Sequence, residues 1–104
     1  MRPRRSGSPA FHALLREIGA LHDRKQADYG RAGQPFANIT ASAEWNIAPW
    51  IAAMVRANDK VRRLQALARG QRLRNESARD SFLDLAVYAL IALLLWEDND
   101  AQTL

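Results

Sequence analysis

Three carboxylates in the C-terminal half, Glu76, Asp80 and Asp84, recur at i, i+4 and i+8, and Tyr88 extends the row. On a helix they share one side. Val87, Ile91 and Leu94 continue that side, so the row prolongs an apolar stripe and is expected to face other helices. Carboxylates at i, i+4 repel one another. Partly buried ones also carry a desolvation cost unless a cation answers them. Two answers fit. One is Mg²⁺, a hard cation that takes oxygen ligands and keeps several waters. The other is pairing with the basic residues at Arg56, Lys60, Arg62 and Arg63. Spacing alone leaves both open.

Upstream, Arg56, Asp59, Lys60 and Arg63 form a second group at i, i+3 and i, i+4 spacing. As a solvated row, such pairs are worth a few tenths of a kcal/mol each. As a site, Asp59 becomes a further metal ligand and the basic residues become phosphate clamps. Asp59 lies opposite Trp50 and Val61, and one bundle cannot bury both faces, so a second subunit would have to cover one of them. A third group is Lys25, Asp28, Tyr29 and Gly30. Lys25 suits a helix C-terminus and Gly30 suits its cap. The charge of Asp28 does not, which makes it a candidate functional residue. Trp45 is the best-placed aromatic for stacking on a base, whereas Trp50 and Trp96 read as packing. His12 and His22 receive no role.

Three long helices must position these groups. The first spans residues 9–28, with Phe11, Leu14, Leu15, Ile18 and Leu21 at helical spacing. The second starts near Pro49, a favoured first-turn residue, and ends at Gly70. Its expected apolar face is Trp50, Met54, Val61, Leu64 and Ala68. The third is capped by Asn75 or Ser77 and runs to about Trp96. The connection 30–48 holds one short helix around residues 40–45, and its length is unusual for a compact domain. No strand alternation, repeat or low-complexity block appears. The expected fold is all-α, an antiparallel helical bundle over residues 10–97. Residues 1–9, with Arg2, Arg4 and Arg5, read as a flexible basic tail, and 98–104 as an acidic C-terminal tail.

Composition narrows the function classes. The absence of cysteine excludes a disulfide scaffold and cysteine-ligated zinc. No Gly-rich phosphate loop and no Ser-His-Asp set is present. A net charge of +4 is a weak pointer to an anionic partner, because the tails are unevenly charged. The longest apolar run, 85–96, is short of the roughly 20 residues that a membrane span needs. No apolar stretch directly follows the basic N-terminus, as a secretory signal would require. A cytoplasmic protein without membrane contact is the expectation.

Three stretches carry a family resemblance in register. They are Lys25-Gln26-Ala27-Asp28-Tyr29-Gly30, then Arg56-Ala57-Asn58-Asp59-Lys60 with Arg63-Leu64, then residues 76–89 beginning Glu76-Ser77-Ala78-Arg79-Asp80. Together they resemble the phage and bacterial family called nucleotide modification associated domain 1. Its pattern is a K-x-x-D-Y-G box, an R-x-x-D-K-x-x-R-L helix and an E-S-x-x-D-x-x-x-D-L-A-x-Y helix. The resemblance spans residues 11–95. The family's helical layout is similar to the all-α nucleoside triphosphate pyrophosphohydrolases of the MazG and dimeric dUTPase kind. Those enzymes bind Mg²⁺ through acidic residues on two adjacent helices. The resemblance places Asp59 on the first acidic helix and Glu76, Asp80 and Asp84 on the second. Here the first helix has a single carboxylate where MazG proteins have a pair, and the second has i+4 rather than i+3 spacing.

The resulting expectation is a MazG-like bundle completed by dimerisation or higher self-association. It handles a nucleoside triphosphate or deoxynucleotide with Mg²⁺, in phage nucleotide metabolism or DNA modification. Asp59, Glu76 and Asp80 hold the metal, and Asp84 acts as the base on the attacking water. Lys25, Lys60 and Arg63 meet the phosphates, with Asp28 and Tyr29 beside them. A phage-encoded chain would act in the host cytoplasm. The alternative is a non-catalytic nucleotide-binding or protein-interaction module accessory to DNA-modifying enzymes. Direct DNA binding is disfavoured, because an interior acid row repels phosphate.

Overall fold

The computed structural model describes residues 7–29, 37–73 and 76–103, with side chains except at 26–29, 37–38 and 99–103. The described elements are all helical: α1 (Pro9–Tyr29), the short α2 (Ala37–Thr40), a 3₁₀ segment (Ala41–Trp45), α3 (Pro49–Ala68) and α4 (Ala78–Thr103). Among the described residues no helix is long and apolar enough to cross a membrane.

Local chemistry sets the helix ends. Ser8 Oγ accepts the amides of Ala10 and Phe11, and Pro9 follows at the first helical position of α1. Pro49 opens α3 in the same way. At its far end Gly70 takes φ +86°, a left-handed conformation that glycine adopts without a Cβ clash. The Gly70 and Gln71 amides then reach back to the Leu67 and Ala66 carbonyls, a Schellman closure. Ser77 caps α4, its Oγ accepting the Asp80 amide at 3.0 Å. Asn46, at φ 61°, ends the 3₁₀ segment, and the Ser42 hydroxyl donates to the Ile47 carbonyl across that turn. The helix α4 continues past Trp96 to Thr103, beyond the end read from the sequence. Residues 97–103 contain no Gly or Pro, and Glu, Ala and Gln among them are good helix formers.

The main packing is α3 against α4. The core is small: Ile39, Ala53, Val87, Ile91 and Ala92 are buried together, with Ile18, Leu21, Ala52, Tyr88 and Leu95 half-buried around them. The buried line on α3 passes through Ala53 and Ala57, while Met54 is exposed. The face expected from Trp50, Met54 and Val61 is therefore rotated in the fold. The reason is size: alanines let two helix axes approach closely, but they weigh little in a hydrophobic pattern. Helix α1 meets α4 through its second half, where Ile18 and Leu21 pack on the core. Its first half leaves Phe11, Leu14 and Leu15 exposed.

Candidate functional site

Where α3 passes the start of α4, the ammonium of Lys60 lies between two carboxylates. Its Nζ is 2.7 Å from Glu76 Oε1 and 3.3 Å from Asp84 Oδ2. Lys25, from α1, donates to Asp84 Oδ1 at 3.0 Å. Arg63 Nε lies 3.8 Å from Glu76 Oε2, an ion pair too long for a hydrogen bond. Ser81, fully buried, donates its hydroxyl to Glu76 Oε2. Three helices thus contribute to one network of three cations, two carboxylates and a hydroxyl.

The network is partly removed from water. Asp84 is buried, and the side chains of Lys60 and Glu76 are each 16% exposed. Burial works against the charge on Glu76. The hydrogen bonds from Lys60 and Ser81, with the positive charges of Lys60 and Arg63, outweigh it and hold the carboxyl below its ordinary value. Burial likewise opposes the charge on Lys60, and its bonds to Glu76 and Asp84 overcome that and raise it. Both groups stay ionised at neutral pH.

The expected acid row divides. Glu76 and Asp84 converge on Lys60, whereas Asp80 is exposed in the first turn of α4. There its negative charge suits the positive end of the helix. Glu76 precedes the Ser77 cap and so lies outside helical periodicity. Among the described residues, no group of three or more His, Asp or Glu side chains is placed to hold a metal ion. Lys25 and Lys60 meet on Asp84, and Lys60 and Arg63 on Glu76, although Lys25 belonged to a separate group in the sequence. Asp28 and Tyr29 end α1, but their side chains fall outside the described residues, as does all of Gly30. Trp45 is 79% exposed at the end of the 3₁₀ segment.

A depression of about 490 Å³ is lined by Arg56, Asp59, Lys60, Arg62, Arg63 and Tyr88. Its volume is in the range of small-ligand sites. Lys60 and Arg63 belong both to this depression and to the carboxylate network. Of the four cations that line it, Lys60 and Arg63 are paired with the carboxylate network, and Arg56 and Arg62 are not.

Two features were not singled out from sequence. Ser81 holds Glu76, and its signal was the heptad-like seam 81, 84, 88, 91, 95, which alternates i+3 and i+4 steps. A strict i+4 row, such as 76, 80, 84, drifts about 40° per step from such a seam. The second is a two-pronged ion pair between Arg79 of α4 and Glu17 of α1, at 2.5 and 2.7 Å. It ties α1 to the start of α4.

Comparison with protein-family models, with curated proteins and with solved structures finds no match to this chain.

Proposed function

We propose that this chain binds a nucleoside triphosphate or deoxynucleotide with Mg²⁺ and hydrolyses it to a monophosphate and pyrophosphate. The observation that carries the reading is Lys60, which lines the depression and also bridges Glu76 and Asp84. Phosphates in the depression would lie next to the carboxylates that the chemistry needs. The resemblance of three motif boxes to the nucleotide modification associated family, and the MazG-like layout that this resemblance implies, support the same reading.

The residues fit a metal that arrives with its substrate. Mg²⁺ is commonly held by one or two carboxylates together with substrate phosphates and water. Asp59 in the depression and Glu76 beside Lys60 and Arg63 are the donors at hand, and Asp80 is exposed in the first turn of α4. Bound there, the ion would neutralise the triphosphate and polarise its phosphoryl oxygens. Lys25, Lys60 and Arg63 stabilise charge on the phosphates. Asp84 accepts the proton of the attacking water, since each of its oxygens keeps acceptor capacity beside its lysine. The water oxygen bonds to the α-phosphorus. The bond from that phosphorus to the α–β bridging oxygen breaks, and pyrophosphate leaves with the oxygen and its electron pair.

One observation favours a second reading, the non-catalytic nucleotide-binding or interaction module. Both oxygens of Glu76 and both of Asp84 already face a cation or a hydroxyl of this chain. That is the ion-pair answer to buried carboxylates, complete without a metal. A screen of the common NTPs and dNTPs with Mg²⁺, scored for pyrophosphate and phosphate release, separates the two. Turnover of any one supports the hydrolase, and binding without product supports the module.

The assembly that goes with this function is a dimer or higher oligomer. Phe11, Leu14 and Leu15 of α1 and Leu93, Leu94 and Trp96 of α4 are among the exposed apolar side chains.

A further inference from the structure

The two helix seams of the fold are built differently. Between α3 and α4, Ala53, Ala57 and Ser81 are each at most 1% exposed. On α1 no described side chain is buried. Ile18 and Leu21 are half-buried against the core, while Phe11, Leu14 and Leu15 stay exposed. An apolar gap of about 190 Å³ lies between Ile18, Gly19 and His22 of α1 and Val87, Leu90 and Leu94 of α4. At Gly19 no atom of another element lies within 4 Å of where a Cβ would stand. Glycine is also a poor helix former, so the middle of α1 is weak in itself. Charge supplies the rest of the hold. Glu17 receives both prongs of Arg79, and Lys25 donates to Asp84. The pairs have opposite polarity: α1 offers an anion and then a cation, and α4 a cation and then an anion. Sliding α1 would break both, and reversing it would set like charges against each other. Both pairs are open to water, with Arg79 and Glu17 60% and 41% exposed and Lys25 42% exposed. Exposed pairs are weak and are screened by salt.

We propose that α1 is an arm latched by these two ion pairs, which lifts from α4 while α3 and α4 stay folded, and whose position controls the access of water and charge to Asp84. With the arm docked, Asp84 is buried and held by lysines from two helices. With the arm lifted, Asp84 keeps Lys60 alone and its Oδ1 faces solvent. The side of α4 that carries Val87 and Ile91 is uncovered at the same time. The bridge from Lys60 to Glu76 and the hydroxyl of Ser81 are better shielded, so the α3–α4 seam outlasts the latch. The movement needs no ligand, so it is tested apart from the nucleotide reading.

The test is hydrogen–deuterium exchange of the full chain, resolved by segment, in about 0.01 M and about 1 M NaCl, between which the screening length falls from about 30 Å to about 3 Å. A helix that leaves its packing surface loses most of its stability, so lifting registers as exchange within α1. Exchange over residues 13–25 should quicken about tenfold in high salt, while residues 53–63 and 83–92 keep their protection. Glu17→Gln with Lys25→Met should exchange fast in α1 at both salt concentrations. Glu17→Arg alone should do so at low salt, and adding Arg79→Glu, which restores the pair with its polarity reversed, should slow it again. The sequence has no cysteine, so Val87→Cys supplies a single reporter thiol under the arm. Its labelling should quicken under the same conditions as α1 exchange. Exchange of α1 that keeps pace with α3 and α4 at both salt concentrations overturns the arm, because α1 then opens only by global unfolding. So does α1 exchange that ignores both salt and the double variant. A thiol that stays protected while α1 exchanges shows fraying in place and overturns it too.

Discussion

Lys60 Nζ stands 2.7 Å from Glu76 Oε1, joining the middle of α3 to the residue just before the cap of α4. The contact is mostly shielded, and the same ammonium also serves Asp84. Removing the cation strands two shielded carboxylates beside each other. For a buried pair that loss is about 3–5 kcal/mol. The remaining help from Lys25, Arg63 and Ser81 reduces it here. Lys60→Met should therefore destabilise the fold by about 2–3 kcal/mol, read by urea titration. A variant as stable as the wild type would mean that the network contributes no net stability.

Stability should fall at both pH extremes, with signs set by Glu76 and Lys60. Glu76 is lowered in the fold from an ordinary value of 4.5. Its contribution is present above that value and is lost as pH falls through the lower folded value. Lys60 is raised from 10.5. Its contribution is complete below 10.5 and is lost as pH rises through the higher folded value. Melting temperature measured across pH should show a plateau between the two, and Glu76→Gln should reduce the acid limb and, by removing one of the charges that raise Lys60, part of the alkaline limb as well.

Several helix ends were readable from sequence, because Pro9, Pro49, Gly70 and Ser77 act on their immediate neighbours, whereas the Ser8 cap and the end of α4 at Thr103 were not read. The residue types of the site were readable too: Lys25, Lys60, Arg63, Glu76 and Asp84 were all candidates before their contacts were known. Pairing of the acid row with Lys60 and Arg63 was one of the two answers left open, but which carboxylate meets which cation depends on how α3 lies against α4. Arg63 has Asp59 four residues away on its own helix and meets Glu76 across the helix crossing. The alanine face of α3 was invisible to a hydrophobic pattern for the reason of size already given. Glu76 shows the same limit, since its place on Lys60 depends on a bend outside the helix.

That alanine face gives a sharp test of the helix crossing. Ala57 is 1% exposed on α3, and Ser81 is fully buried on α4. Ala57→Leu adds three carbons where no space exists, and overpacking of this kind costs about 1–3 kcal/mol. It should also spread α3 from α4 and loosen the nearby bridge from Lys60 to Asp84. Ala57→Ser, nearly the same size, should be mild. Denaturant midpoints of the two variants that coincide would show that α3 and α4 are not closely packed there.

Self-association should involve the apolar sides of α1 and α4. Leu94→Glu with Leu93→Glu puts charge on residues that are half-exposed in the monomer, so the fold of a lone chain should tolerate it. An interface that buries them should not. Light scattering at tens of micromolar should show a dimer or larger for the wild type and a smaller species for the double variant. A monomeric wild type at that concentration would remove the assembly from the proposal.

Asp84 allows the catalytic and structural roles to be separated. Its Oδ1 receives Lys25 of α1 and its Oδ2 receives Lys60 of α3, so one carboxylate on α4 ties three helices together. Asp84→Asn keeps the shape but loses the charge that both lysines answer. As a structural anchor alone, its loss should lower stability by about 1–3 kcal/mol, weaken the docking of α1, and leave any turnover close to normal at temperatures where the protein stays folded. As a general base it should also cost at least about 10²-fold in kcat while leaving nucleotide affinity nearly unchanged. Glu17→Gln is the control, because it weakens the other tie between α1 and α4, its ion pair with Arg79, without touching the site. If both variants stay folded and only Asp84→Asn loses turnover, Asp84 is the base. Turnover lost equally in both would assign Asp84 to positioning, with the proton going elsewhere.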